Sequence, residues 1–145
     1  YFNGTLDGWG MFQDRSGEVV KRFHVVIEAS WQGDTGTLDE KFAWSDGSTS
    51  RRVWTIVREG EGRYSGRGGG GGGPPVDVGA TAVGEAAGNA LRWRYVLALP
   101  VDGRTWHVDF DDWMFLMDEQ VMLNRSVMSK WGVRLGEVTL SFRKR

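Results

Sequence analysis

The chain lacks cysteine altogether, and among its 145 residues there are only three prolines and two histidines. Without cysteine there is no disulfide, no cysteine-ligated zinc or iron–sulfur centre and no thiol nucleophile. The compartment stays open, because cysteine-free proteins occur on both sides of a membrane. An excess of charge is lacking too: 18 Lys+Arg stand against 19 Asp+Glu, a net charge of -1. That balance disfavours a dedicated nucleic-acid binder, whose affinity comes mostly from neutralising phosphates. No apolar run approaches the roughly 18 residues of a membrane-spanning helix. Nor does any stretch make a long amphipathic helix.

What the chain has in quantity is glycine, 22 residues, and tryptophan, eight residues. Much glycine without helical periodicity points to a turn-rich β protein, and this much tryptophan to a large aromatic core or a wide aromatic cavity. The length suits one domain, which at this size buries roughly 68–70% of its unfolded surface and needs no covalent staple. Tyr1 is not an initiator methionine. The expectation is either a removed export signal or an ordered part that begins here.

Apolar residues recur with period two, the signature of strands. Phe23, Val25, Ile27, Ala29 and Trp31 share one face, as do Leu38, Glu40, Phe42 and Trp44. Leu91, Trp93, Tyr95, Leu97 and Leu99 form a third such set, and Val138, Leu140 and Phe142 a fourth. Turn signals separate the runs at 14–17, 32–34, 45–48, 60–62, 88–89, 100–103 and 118–119. Strands at this spacing, joined by short turns, describe an antiparallel meander of about eight to ten strands. One-faced alternation favours closing it into a barrel, because closure removes sticky edges. The fold class is therefore all-β, one barrel domain over 1–145, with Phe23, Val25, Ile27, Leu38, Phe42, Trp93, Tyr95, Leu97, Leu140 and Phe142 inward.

One stretch interrupts the pattern. Six glycines at 68–73 are followed by Pro74-Pro75. They satisfy G-x-G-x-x-G trivially, but a dinucleotide loop needs a helix directly afterwards, and Pro74-Pro75-Val76-Asp77 supplies none. The stretch at 67–76 reads as a flexible Gly/Pro loop between strands.

Chemistry is sought where alternation places a polar side chain among buried ones, since burying a charge is costly unless it is paired or used. Glu40 falls between Leu38 and Phe42, Asp112 shares parity with Phe110 and Met114, and Arg125 shares parity with Leu123 and Val127. Glu40, Asp112 and Arg125 would either form one internal ion-pair network, escape to a rim, or leave Arg125 to clamp an anionic head group. Trp44, Trp54, Trp93, Tyr95 and Trp113 would line the apolar pocket around them. His107, Asp109 and Asp111 lie on one strand face, but neighbours two apart stand about 6.6–6.8 Å apart, awkward for one metal ion. They read as a solvated outer face, as does His24, and no metal site or cofactor is assigned. No nucleophile-elbow motif accompanies either histidine, so no catalytic residue is assigned.

The motifs then carry a resemblance. Phe2-x-Gly4-x-Leu6-x-x-Trp9-Gly10, Leu38-Asp39-Glu40-x-Phe42 and Asp46-Gly47-x-x-x-Arg51-Arg52-Val53-Trp54 open and continue it. Gly88-Asn89-Ala90-Leu91-x-Trp93-x-Tyr95, Phe110-x-Asp112-Trp113-Met114, Leu123-Asn124-Arg125-Ser126 and Lys130-Trp131-Gly132 complete it. Together they resemble the DUF3833 family of proteobacterial proteins, often described as lipoproteins of unknown function. The resemblance implies a lipocalin-like barrel, export to the periplasm, and a lipid anchor on a cysteine upstream of Tyr1. The sequence expectation is thus an exported, membrane-associated, non-enzymatic barrel that binds an apolar or amphiphilic, lipid-like ligand. The alternative is an accessory subunit of a membrane or envelope assembly with a filled core. An enzyme acting on a lipid-like substrate, with Glu40 or Asp112 as acid or base, is the third reading. A nucleic-acid partner is not expected.

Overall fold

The computed structural model describes residues 1–70, 80–101 and 103–145. Ten strands follow one another: β1 (Gly4–Asp14), β2 (Val19–Gln32), β3 (Thr35–Trp44), β4 (Thr49–Gly60), β5 (Arg63–Gly70), β6 (Ala80–Ala87), β7 (Ala90–Val101), β8 (Arg104–Leu116), β9 (Val121–Lys130) and β10 (Val133–Lys144). Each pairs antiparallel with its sequence neighbours, and β1 pairs with β10, so the meander closes into a barrel. Among the described residues no helix is long and apolar enough to cross a membrane.

Alternation decides the interior. Leu6, Val25 and Ile27 are fully buried, joined by Phe23, Leu38, Trp54, Trp93, Tyr95, Leu97, Phe110, Leu140 and Phe142. Every residue expected inward lies in this core, with Phe42 half-buried against it. Each sequence turn signal falls where a hairpin forms. A further turn, between β9 and β10, carried no such signal: Trp131 occupies it with φ of 52°, followed by Gly132 at 74°. A bulky aromatic at positive φ is an uncommon choice for a tight turn, so composition does not point to it.

The glycine run also departs from expectation. Positions 67–70, expected to open a loop, continue β5 and pair with β4, Arg67 opposite Thr55 and Gly68 opposite Trp54. Gly68 accepts this because a bare backbone there leaves room for the Trp54 indole, which an added Cβ would approach to 3.1 Å. The remainder of that expectation, at 71–76, lies outside the described residues.

The strand directions define two rims. The turns at 33–34, 61–62, 88–89 and 117–120 form one, together with residues 1–3 and Arg145; the turns at 15–18, 45–48 and 131–132 lie on the other. At the β1–β10 seam, Arg145 grips Asp7 through two hydrogen bonds of 2.7 and 2.9 Å. This contact and the neighbouring His24 hold the Asp7 carboxyl below the ordinary carboxylate range.

Candidate functional site: a polar centre in an aromatic cavity

The side chains do not fill the barrel. A cavity of about 970 Å³ runs through it, lined by inward residues from Phe2 near one rim to Trp44 near the other. Its walls are largely aromatic. Trp54 meets Trp93 and Tyr95 edge-on at 5.6 and 5.2 Å, and Tyr95 stacks on Phe110 at 5.0 Å. Towards the rim with the 45–48 turn, Phe23, Phe42 and Trp44 form a second cluster. Glycine makes room for the indoles: a Cβ at Gly84 would stand 2.5 Å from Trp93, and one at Gly66 2.6 Å from its far edge.

Midway along the barrel, this wall holds charge. Glu40 and Arg52 face each other across β3 and β4. Arg52 Nε donates to Glu40 Oε1 at 2.9 Å, with the side chains 16% and 11% exposed. The guanidinium lies over the Phe42 and Trp54 rings at 5.6 and 5.5 Å. Burial alone would lower the Arg52 pKa, but the charges of Glu40, Tyr95 and Asp112 and the Glu40 hydrogen bond outweigh it and raise it.

Asp112 lies on β8, buried, and Ser126 Oγ on β9 donates to its Oδ1. Tyr95 Oη on β7 donates to its Oδ2 at 3.3 Å. Burial pushes the Asp112 carboxyl up to about 7; the Ser126 and Tyr95 hydrogen bonds and the Arg52 charge oppose this, while the Glu40 charge adds to it. Tyr95 is raised well above its ordinary range by burial first, then by the Asp112 charge. Such displaced acids mark functional sites more often than ordinary walls do.

Glu40, Asp112, Trp44, Trp54, Trp93 and Tyr95 all line the cavity, as the sequence suggested. Arg125 does not. The inner face of β9 is Met122, Asn124, Ser126 and Met128, so Arg125 points outward and pairs with Glu137 at 3.0 Å. The physical reason is polar satisfaction: Asn124 Nδ2 donates to the Trp113 carbonyl at 3.1 Å and Ser126 to Asp112, so both tolerate burial. Leu123 and Val127 made the opposite face look like the inner one. Trp113 is likewise outward, 38% exposed, stacked beside Phe115 under the Arg92 guanidinium.

The internal cation that sequence reasoning missed is Arg52. A signal for it existed: counting outward from the 45–48 turn sets Ala43 opposite Thr49 and Glu40 opposite Arg52. His107 and Asp109 face outward, and Asp111 is engaged by Arg92 at 2.8 Å. Among the described residues, no three His, Asp or Glu side chains converge on a metal position.

A closed antiparallel barrel around an aromatic cavity with a buried polar centre is the lipocalin-like class of protein. Within it, the chain belongs to the family described as "Protein of unknown function (DUF3833)", whose model matches residues 1–144. Comparison with curated protein sequences finds no match. Among solved structures, the chain is similar to the S-type phycobiliprotein lyase CPES from Guillardia theta, at 8% identity and a TM-score of 0.60. The likeness covers 99% of this chain and 88% of that one. At such identity it speaks for the fold alone.

Proposed function

We propose that this protein is a non-enzymatic carrier that holds an apolar or amphiphilic, lipid-like small molecule inside the barrel. The observation that carries the reading is the cavity of about 970 Å³, walled by Trp54, Trp93, Tyr95 and Phe110 around Arg52, Glu40 and Asp112. Small-molecule sites are typically about 300–1,000 Å³, mostly apolar, with a few convergent polar groups, and this interior meets each criterion. A barrel of this size that was only a scaffold would gain stability by filling the void. Export and membrane association, part of this same proposal, would bring the barrel to where an amphiphile is met.

The test is native mass spectrometry on protein purified from its own membranes, joined to uptake of the uncharged dye Nile red. A retained non-covalent mass, or saturable dye uptake with a change in tryptophan emission, is expected. Neither appearing would overturn the reading.

The second reading, an accessory subunit of an envelope assembly, is favoured by one surface feature. Trp113, Phe115, Met117 and Leu123 are all at least 37% exposed along β8, its following turn and β9. Phe115→Ser with Leu123→Ser would then abolish assembly with the partner and leave dye uptake unchanged.

A further inference from the structure

Among the described residues, the terminal nitrogens of Arg52 have no hydrogen-bond partner. Arg52 carries five N–H donors, yet among the described residues its one hydrogen bond leaves from Nε to Glu40. Beyond that bond the guanidinium meets aromatic faces, Phe42 and Trp54, which leave its in-plane donors facing the cavity. Buried donors without an acceptor are costly, so the interior calls for an oxygen at this place.

The kind of oxygen follows from the charges. Away from the exposed rim residues Lys21, Asp34, Arg51 and Arg58, the charged groups lining the cavity are Arg52, Glu40 and Asp112. One guanidinium already faces two carboxyls. Glu40 neutralises it directly, and Asp112 lines the same space. A ligand carboxylate would bring a third acid beside Glu40 and Asp112, with no further buried cation among the described residues to receive it. An ammonium head would offset the second carboxyl, but it brings no acceptor for the Arg52 nitrogens and would set a second cation beside them.

We infer that the cavity selects an amphiphile whose polar head is an uncharged oxygen acceptor, an ester, amide or ketone carbonyl, received by the terminal nitrogens of Arg52. This rests on the ligand-binding reading above and names the ligand class within it. The aromatic walls around Trp54 and Trp93 hold the apolar tail. The head accepts two N–H bonds without changing the charge balance between Arg52 and Glu40.

The experiment compares methyl laurate, laurate and dodecylammonium, equal in tail length, by tryptophan quenching at pH 8. Methyl laurate should bind at least tenfold tighter than either charged amphiphile. Glu40→Gln keeps an oxygen for Arg52 Nε but removes the compensating charge. Laurate should then gain at least tenfold relative to methyl laurate measured on the same variant. Should that variant not fold, the carbonyl stretch of 13C-labelled methyl laurate in the wild-type protein serves instead: it should fall on binding, as for a carbonyl bonded to guanidinium. Laurate or dodecylammonium binding tightest, or an unshifted carbonyl, would overturn the inference. Equal binding of all three would overturn it too, yet leave the carrier reading standing. Binding of none would overturn both.

Discussion

Arg52 and Glu40 are directly opposite in the β3–β4 ladder, Nε to Oε1 2.9 Å, on a barrel face otherwise occupied by Leu38, Trp54 and Ile56. Each justifies the burial of the other. Neither would be stable alone in that position.

Arg52→Met should therefore destabilise the barrel by about 3–5 kcal/mol, because it strands the Glu40 carboxylate beside Trp54. Adding Glu40→Gln should recover much of that loss. Urea denaturation of the single and double variants measures both. A single variant within about 1 kcal/mol of wild type would show that water, rather than Arg52, satisfies Glu40.

Asp112 should make stability fall as pH rises. Its carboxyl titrates near 7 in the fold, against an ordinary value of about 4 unfolded, so between these values the native state binds the extra proton. Stability from this group is complete below about pH 4, declines through the window to about 7, and is flat above it. The total is on the order of 4 kcal/mol. Asp112→Asn should flatten this slope in denaturation midpoints taken from pH 4 to 8. An unchanged slope would remove Asp112 as its source.

Gly84→Val should act on the cavity wall. Any Cβ there stands 2.5 Å from the Trp93 ring, so the indole must tilt into the void. The cost should be about 1–3 kcal/mol of overpacking. Tryptophan emission should shift and Nile red capacity should fall. Normal uptake with unaltered emission would mean the wall yields elsewhere.

Arg125→Met should change stability by no more than about 1 kcal/mol, because an exposed ion pair contributes little and Glu137 keeps Arg134 as a second partner. Its dye uptake should match wild type. Loss of uptake in this variant would place Arg125 in the ligand path despite its outward direction.

Much of the barrel was legible because the information is local. The Phe23–Val25–Ile27 and Trp93–Tyr95–Leu97 alternations announce both strand and inner face, and those residues are buried as expected. Glu40 and Asp112 were legible for the same reason, as charges at inward parity. Arg125 was misassigned because β9 reverses the usual signal: Asn124 and Ser126 are buried, while Leu123 is 44% exposed. That inversion depends on the Trp113 carbonyl and Asp112 of β8, which supply hydrogen bonds that β9's own sequence does not reveal.

By itself, then, the sequence determined the strands, most turns, the inward set and the presence of charge inside, since each follows from period-two spacing and turn chemistry within a few residues. Tertiary structure alone decided three things. Closure of β1 on β10 brought Arg52 and Asp112, from β4 and β8, into one interior. Hydrogen bonding between strands decided which face of β9 could be buried. Ten strands around one axis set a radius that even this many aromatic side chains do not fill. A void is a property of the closed wall, and no segment of the chain encodes it separately.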